Sequence, residues 1–418
     1  MFIEMSYGKE VKILDISDKN VAKIINPNEK SGVKDPIKEV ENSLKRPIGS
    51  PTLKEIIAKF NSPKIVIIVN DITRPVPYKW ILPPLMEELK DVNPENIEFI
   101  VATGIHRHHT DAENRELFSE ELVSKYHFSN HDCDNNLVNL GTLSGGTPLF
   151  VNKKAVEADI IIGTGMISLH YFAGFSGGRK SVLPGISGRE TIMKNHSQMV
   201  APNVKSGVIE NNPVHKEMME AAKKVGLTFI LNVITNSKKE IVQVVSGDME
   251  KAWFEGIKTC GDLYFCKLDK RYPVVFASAG GYPKDINVYQ AQKALENASE
   301  ATENGGTIVL LAECQEGFGE PTFEEWIKEA NNISDIFSRL KAGFKLGGHK
   351  AYAIARVVKD KEVILISNLS KGETETLFFN YQPDLDHTLK YIEKKHGKDY
   401  KAVIMPQAGL TLPVIDLV

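Results

Sequence analysis

Ile65-Val-Ile-Ile-Val-Asn70 is an apolar run of strand length, and the polar loop Asp71-Ile-Thr-Arg-Pro-Val-Pro77 follows it directly. A continuous apolar run, rather than an alternating one, is typical of a strand buried on both faces of a parallel sheet. A stretch of helical character comes next, at residues 80–90. The segment is therefore one strand–loop–helix unit, which predicts an α/β fold.

The same unit recurs along the chain. Further strand-like runs lie, in order, at residues 97–103, 158–163, 274–278, 307–312, 363–367 and 402–406. Amphipathic stretches separate them, which favours parallel sheets flanked by helices. The first sixteen residues alternate around Gly8, which predicts a β-hairpin.

Two strand-rich halves are separated by the block at residues 251–272. We therefore predict two α/β domains, over residues 1–268 and 269–406, each with a mostly parallel sheet flanked by helices. The apolar tail at residues 407–418 is expected to pack back onto the first domain. Ligands of such sheets bind beyond the carboxyl ends of the strands, so we expect the active site in the cleft between the domains.

Composition excludes several classes of protein. The 418 residues include 51 Lys and Arg against 54 Asp and Glu, a net charge of −3, which argues against nucleic-acid binding. No apolar run approaches the roughly 18 residues of a membrane span. Glu4 and the lack of an apolar leader argue against a signal peptide. We expect a soluble, cytoplasmic protein with neither nucleic acid nor membrane as a partner.

The loops after four of the predicted strands are rich in reactive side chains. These are Asp71, Thr73 and Arg74 after the first strand, His106 after the second, His170 and Gly177–Lys180 after the third, and Lys284, Gln290 and Lys293 after the fourth. The carboxyl ends of parallel strands share one edge of a sheet, so we expect the four loops to converge on one cleft.

Seven of the eleven histidines lie between His106 and His196. Only His106 and His170 directly follow a strand at the expected ligand edge, and two histidines on separate loops suit a base and an acid on opposite faces of a substrate. The others in this region are more simply explained as surface or hydrogen-bonded core residues: His108, His109, His127 and His131.

Candidate anion-binding groups are less specific. Pro75 keeps Arg74 out of a helix, and a guanidinium in such a stiff loop suits a carboxylate or phosphate; an ion pair with Asp71 is an equal alternative. Gln290 and Lys293 are spaced i, i+3 and share a helix face, which is either a second anion contact or a solvated surface.

The block Gly174-Phe-Ser-Gly-Gly-Arg-Lys-Ser181 is similar to the phosphate-binding loop GxxxxGK[ST], but Arg179 replaces its last glycine. That substitution disfavours a nucleoside-triphosphate site, although another phosphate-bearing ligand remains plausible. Lys180 is a candidate phosphate partner, covalent attachment point or surface charge. His196 is a candidate metal ligand without a second protein ligand nearby in sequence.

Taken together, these motifs resemble the nickel-pincer lactate racemases and related 2-hydroxyacid racemases. The resemblance rests on Asp71-Ile-Thr-Arg-Pro75, Ala102-Thr-Gly-Ile-His-Arg107, the block His170–Gly185, Asn195-His196 and the segment Tyr282–Lys293. These motifs follow the order of the family, and the block at 170–185 is far more specific than a single glycine motif.

The resemblance implies a cofactor, the pyridinium-3-thioamide-5-thiocarboxylic acid mononucleotide with nickel. By this resemblance the cofactor is covalently attached to Lys180, and His196 is the protein ligand of nickel. Cofactor contacts are implied for Asp71, Thr73, Arg74, Lys180 and Pro184. Accessory proteins that synthesise the cofactor are implied as partners.

The implied activity is interconversion of L- and D-lactate by hydride transfer through pyruvate. His106 and His170 would alternate as acid and base, while Arg74, Gln290 and Lys293 bind the substrate carboxylate. The alternatives are a racemase of another 2-hydroxyacid such as malate, a phosphotransferase that binds phosphate or a nucleotide, and a non-catalytic anion-binding protein.

Overall fold

The computed structural model of the chain describes residues 1–415, which form twenty strands and fifteen α-helices. The strands are β1 (Phe2–Tyr7), β2 (Glu10–Asp15), β3 (Val21–Ile24), β4 (Ile65–Asn70), β5 (Ile97–Ala102), β6 (His127–Asn130), β7 (Leu137–Thr142), β8 (Pro148–Asn152), β9 (Ile160–Met166), β10 (Leu169–His170), β11 (Gly174–Phe175), β12 (Phe229–Thr235), β13 (Ile241–Gly247), β14 (Phe265–Leu268), β15 (Tyr272–Ser278), β16 (Thr302–Leu311), β17 (Glu362–Ile366), β18 (Asn380–Tyr381), β19 (Ala402–Met405) and β20 (Leu412–Ile415).

The helices are α1 (Pro36–Lys45), α2 (Leu53–Ile57), α3 (Tyr78–Glu88), α4 (Asp111–Phe118), α5 (Glu120–Lys125), α6 (Lys153–Val156), α7 (Arg189–Ser197), α8 (Pro213–Val225), α9 (Met249–Tyr264), α10 (Val288–Ala301), α11 (Pro321–Lys328), α12 (Ile333–Ala342), α13 (Gly348–Val358), α14 (Lys371–Thr376) and α15 (Leu385–His396). In residues 1–415, none of them has both the length and the apolar character that crossing a bilayer requires.

The chain folds into two compact units. The central unit is Glu29–Leu263, and the terminal unit combines Met1–Asn28 with the chain from Tyr264 onward. Every strand predicted from an apolar run is confirmed, as is the hairpin of β1 and β2 around Gly8.

The central unit is built on a six-stranded sheet in the order β13-β12-β9-β4-β5-β6. Its strands are parallel except for β13, which is antiparallel to β12. Ile65, Ile67 and Val69 of β4 point into the core and are almost fully buried. After β6 the chain crosses back to place β9 beside β4, and such a switch in direction is where doubly wound sheets bind ligands.

The terminal unit contains a second six-stranded sheet, β18-β17-β16-β15-β19-β3, in which all the strands are parallel. Its core includes Val274 and Phe276 of β15 and side chains of the N-terminal hairpin such as Met5 and Leu14. Two doubly wound α/β units therefore confirm the predicted fold class.

The structure corrects the predicted division of the chain at its two ends. Residues 1–28, assigned above to the N-terminal domain, belong to the terminal unit because β3 pairs with β19. The tail, expected to pack onto the first domain, pairs through β20 with β14 of the terminal unit. Residues 416–418 of that tail lie outside the described residues. Strand pairing between segments hundreds of residues apart carries no local sequence signal, so the sequence predicts that neighbouring segments share a domain.

Candidate active site

Three of the four predicted loops meet at the carboxyl edge of the central sheet. The loop after β4 is tied to the loop after β5, since the Ile72 N–H donates to His109 Nε2 at 2.7 Å. A hydrogen bond also joins the loop after β5 to the segment after β9, because the Gly104 N–H donates to the Gly185 carbonyl at 3.1 Å. The predicted convergence therefore holds within the central unit.

His106 and Asp71 form a tight pair at this edge. Nδ1 of His106 lies 2.5 Å from Asp71 Oδ2, and the other carboxylate oxygen accepts from the Thr73 hydroxyl at 2.6 Å. Burial opposes the charged form of Asp71, but the hydrogen bonds from His106 and Thr73 outweigh it and lower the carboxyl pKa. An ionised Asp71 accepts from Nδ1–H, which leaves Nε2 of His106 for proton exchange.

Two neighbouring histidines have structural roles. His109 is buried and accepts from Ile72, while its Nδ1 lies 3.0 Å from Asn114 Oδ1. His131 is fully buried, with Nε2 2.9 Å from the Ser187 carbonyl. Both rings therefore have hydrogen-bond partners in the core, as predicted.

Arg74 does not pair with Asp71. Its guanidinium is exposed, and Nη1 donates to Thr73 Oγ1 at 3.1 Å. Asp71 is hydrogen-bonded to His106 and Thr73; the charge of Arg74 also helps to lower its carboxyl pKa, but no hydrogen bond or salt bridge joins the two side chains within residues 1–415. This finding favours the anion-binding interpretation of Arg74 over the ion-pair alternative.

Arg179 explains the departure from the phosphate-binding loop. The guanidinium is fully buried, donates to the carbonyls of Ala173 and Phe175, and lies 3.9 Å from the centroid of the Trp253 ring. Its Nε also donates to His215 Nδ1 at 2.9 Å. Arg179 therefore holds the glycine-rich segment together from inside instead of facing a ligand.

Close packing against the same tryptophan explains one of the glycines. Gly178 has φ +52°, and a Cβ there would lie 2.7 Å from Cδ1 of Trp253. The Gly178 N–H donates to Asn232 Oδ1 at 2.8 Å, and the Lys180 N–H donates to the Gly177 carbonyl at 3.2 Å. These two N–H groups donate within the fold, so they are not available to a phosphate, in agreement with the departure from the phosphate-binding loop.

The ring of Phe172 brings three of the predicted residues together. The centroid of this ring lies 4.5 Å from that of His170 and 4.7 Å from that of His196. Nζ of Lys180 lies 5.4 Å from the same centroid. His170 is in β10, Lys180 is in the 3₁₀ turn Gly178–Ser181, and His196 is in the last turn of α7.

Lys180 has the character of a nucleophilic amine. Burial, followed by the charges of Arg74 and Arg179, holds its pKa well below the ordinary lysine value. Within residues 1–415, no carboxylate forms an ion pair with it. A lowered pKa increases the unprotonated fraction of a lysine amine, and the unprotonated amine is the form that attacks an acyl carbon, which suits a covalent attachment point.

The same charges act on His170. Burial and then Lys180, Arg74, His196 and Arg179 hold its pKa well below the ordinary histidine value. The ring is therefore neutral at pH 7, and its Nδ1 accepts from the Ala173 N–H at 3.4 Å.

His196 fits a metal whose other ligands are not protein groups. The side chain is buried, and in the described chain it belongs to no set of three His, Cys or carboxylate side chains close enough to share an ion. One set of this kind lies elsewhere, at Asp132, Cys133 and Asp134. A cofactor that supplies the remaining ligands is compatible with this arrangement.

Pro184, Gln290 and Lys293 complete the set of predicted residues. Pro184 is half-buried and contacts the β5 loop, since a Cβ on Gly104 would lie 3.5 Å from the Pro184 carbonyl oxygen. Gln290 and Lys293 belong to the terminal unit, where both are exposed at the start of α10. The N-cap of that helix is Asn287, whose side chain accepts from the Gln290 N–H at 3.0 Å.

One neighbour of Lys293 has no counterpart among the predicted residues. Lys350 of α13 is buried. Its ammonium group donates to the Tyr289 carbonyl and lies 4.1 Å from the centroid of the Tyr289 ring. Burial and the charge of Lys293 lower the pKa of Lys350 to about 7. No motif of the sequence marks Lys350, because its lowered pKa depends on burial and on the nearby charge of Lys293, which only folding brings about.

Comparisons with known proteins show the family of the chain. The family model described as the lactate racemase N-terminal domain matches residues 7–207, and the one described as the lactate racemase C-terminal domain matches residues 269–414. The chain is 36% identical over 416 residues to a lactate racemase of Thermoanaerobacterium thermosaccharolyticum, covering 97% of each chain. It is 34% identical over 420 residues to a lactate racemase of Lactiplantibacillus plantarum, again covering 97% of each.

Solved structures give the same result. The lactate racemase apoprotein from Thermoanaerobacterium thermosaccharolyticum superimposes with a TM-score of 0.90 at 34% identity, covering 99% of this chain and 100% of that one. A Thermotoga maritima protein shares the fold, with a TM-score of 0.63 at 19% identity, covering 93% of this chain and 100% of that one. Two family models and near full-length relatives above 30% identity lead to one conclusion: this chain belongs to the lactate racemase family.

Proposed function

We propose that this protein is an isomerase that interconverts L- and D-lactate with a nickel-pincer nucleotide attached to Lys180. The observation that carries the proposal is the grouping of His170, Lys180 and His196 around Phe172, together with a third histidine, His106, paired with Asp71 at the carboxyl edge of the central sheet. The family supplies the reaction, and these residues supply the groups that the reaction needs.

Lys180 and His196 are the residues that would hold the cofactor. The Lys180 side chain is half-buried, and its lowered pKa makes the amine a better nucleophile for the proposed link. His196 would bind nickel through one imidazole nitrogen, and Asp71, Thr73, Arg74 and Pro184 are the proposed neighbours of the nucleotide. When bound, the cofactor supplies an acceptor and donor of hydride, which avoids forming a carbanion beside the substrate carboxylate.

His106 is proposed to exchange the hydroxyl proton of one lactate enantiomer. Because Asp71 accepts from Nδ1–H, proton transfer is confined to Nε2, and the ring keeps one orientation in both protonation states. Asp71 is therefore a positioning residue for His106, in addition to its proposed contact with the nucleotide.

His170 is proposed to serve the other enantiomer. Loss of hydride from Cα leaves a flat keto acid, pyruvate; the face of the carbonyl carbon that receives hydride again sets the handedness of the product, and a histidine returns the proton to the carbonyl oxygen. Racemisation needs one neutral and one protonated histidine at the start of each turnover, with the proton on opposite histidines for the two substrates. The lowered pKa of His170 makes it the neutral member of the pair before Lys180 is modified.

Substrate binding is assigned to cationic and amide side chains. The exposed guanidinium of Arg74 is stiffened by Pro75 and can bind a carboxylate in a bidentate manner. Lys293 and Gln290, on one exposed face of α10, are proposed as further carboxylate ligands.

The test is racemisation by protein produced together with the accessory enzymes that make the cofactor. We expect D-lactate from L-lactate, about one nickel per chain and a mass adduct on the Lys180 peptide. His106→Ala and His170→Ala should each reduce turnover by about 10²-fold or more while the adduct remains, because general acid–base catalysis contributes about that much. His127→Ala, a change at an exposed histidine, is the matched control and should stay active.

Substrate choice is decided in the same assay. L-lactate should be turned over faster than L-malate or an aromatic 2-hydroxyacid. A fully modified, nickel-loaded protein that racemises none of these substrates would contradict the proposal. Faster turnover of malate than of lactate would identify malate as the preferred substrate.

A further inference from the structure

The ring of His196 has a defined neighbour on its own helix. Nδ1 of His196 lies 3.3 Å from Asn195 Oδ1, near the C-terminal end of α7. Asn195 is fully buried and His196 nearly so, so water does not compete strongly for this contact. Whether Nδ1 is the donor depends on which way the Asn195 amide faces.

The surroundings of Asn195 settle the direction of its amide. Its Nδ2 donates to Glu217 Oε2 at 3.0 Å and to the Val214 carbonyl at 3.3 Å. A carbonyl oxygen only accepts, and so does an ionised carboxylate, so the NH₂ group must face them. The amide oxygen then faces His196, and Nδ1 of His196 must carry the hydrogen.

Three side chains donate hydrogen bonds to the Glu217 carboxylate. The side chain is 1% exposed, and Oε2 also accepts from the Thr147 hydroxyl at 2.8 Å and from the Gln198 amide. Thr147 precedes β8, and Gln198 follows α7 directly. Asn195 and Gln198 lie on either side of His196 in sequence, so a single carboxylate anchors the helix end that carries the ring.

We infer that Glu217 and Asn195 are positioning residues that fix the Nδ1–H tautomer of His196 and leave Nε2 as its metal-binding nitrogen. The role in metal binding rests on the proposed function, whereas the tautomer does not. Partners of this kind orient metal-binding histidines generally, and losing them typically weakens metal affinity by about 10–100-fold.

A merely structural role for Glu217 makes a different prediction. If the carboxylate only joins α8 to the end of α7, its loss should lower stability without changing the tautomer of His196 or the retention of nickel. Thermal stability alone therefore does not distinguish the two roles, and the experiment needs readouts at the ring and at the metal.

The first readout is ¹⁵N NMR of the histidine-labelled apoprotein, with the His196 signals assigned from His196→Gln. We expect a neutral ring with the hydrogen on Nδ1 in the unchanged protein. In Asn195→Ala the ring should become a mixture of tautomers. An Nε2–H ring in the unchanged protein would overturn the inference, whatever the cofactor content.

The second readout is nickel retention by the loaded enzyme during dialysis against a chelator, scaled to the Lys180 adduct. Asn195→Ala and Glu217→Ala should lose nickel about 10–100-fold faster, while Glu217→Gln, which keeps an acceptor oxygen, should retain most of it. The matched control is Glu220→Ala, on the same helix, because Glu220 accepts from the Ser144 N–H and does not contact Asn195. Unchanged retention in folded Asn195→Ala and Glu217→Ala would overturn the role in metal binding.

The two proposals fail in different ways. If the unchanged protein takes up no nickel under these conditions, the proposed function fails, and the tautomer measurement still decides the part of the inference that concerns His196. If nickel is bound but the tautomer is Nε2–H, the inference fails and the function stands.

Discussion

The carboxylate of Asp71 contacts Nδ1 of His106, and we expect this contact to leave Nε2 as the nitrogen that exchanges protons. Asp71→Asn should reduce turnover by about 10²-fold or more, because a neutral amide can face the ring with either its oxygen or its NH₂ group and no longer fixes the tautomer. The measurement is kcat for both lactate enantiomers, with the Lys180 adduct checked by mass. Thr73→Val, which removes the other side-chain donor to Asp71, is the control and should cost far less. Equal effects of the two changes would contradict the assigned role.

Lys180 and His170 influence each other through charge. The positive charge of Lys180 contributes to holding the pKa of His170 down, after burial. Removing that charge favours the imidazolium, so Lys180→Met should raise the pKa of His170 relative to the unchanged apoprotein. NMR titration of the His170 ring provides the measurement, and Lys194→Met on the exposed side of α7 is the control. A pKa of His170 that stays the same or falls would refute this coupling.

The glycine-rich segment depends on contact with helix α9. Gly178→Ala should destabilise the protein by about 2–5 kcal/mol, since it combines left-handed backbone strain with a clash against Trp253. Gly146→Ala separates the two causes: Gly146 has φ +85° with nothing within 4 Å of an added Cβ, so it should cost only about 1–2 kcal/mol. Thermal denaturation measures both. Similar losses in the two variants would show that the contact with Trp253 contributes little.

Buried neutral histidines in both units make stability depend on pH. Burial lowers the pKa of His131 to about 4 and those of His215 and His349 to about 3. Below about pH 6.5 the unfolded chain binds a proton at each ring that the folded chain does not bind. Each histidine should therefore lower stability by up to about 1.4 kcal/mol per pH unit, from pH 6.5 down to its folded pKa.

Denaturation at pH 7.5 and pH 5 tests this dependence. Stability should be lower at pH 5, and His131→Gln should reduce the difference between the two conditions. His127→Gln, at an exposed ring, should leave it unchanged. Equal stability at the two pH values in the unchanged protein would show that these rings are not buried in their neutral form.

Periodicity along the chain predicts most of the architecture. The run at Ile65–Asn70 is buried on both faces of its sheet, so burial itself makes the sequence continuously apolar. The loops after β4, β5 and β9 are also predicted correctly, because every parallel strand presents its carboxyl end at the same edge. The family motifs add a prediction of the reaction to this prediction of strand positions.

Other features depend on contacts between distant parts of the chain. No local pattern shows that β3 pairs with β19, that Asp71 meets His106, or that Arg179 turns inward to stack on Trp253. The amide of Asn195 is likewise oriented by Glu217, which lies on another helix. The sequence alone determines which residue types stand at the sheet edge, since each strand and its loop are local. The tertiary structure decides their hydrogen-bond partners, tautomers and pKa values, because these depend on burial and on charges brought together only by folding.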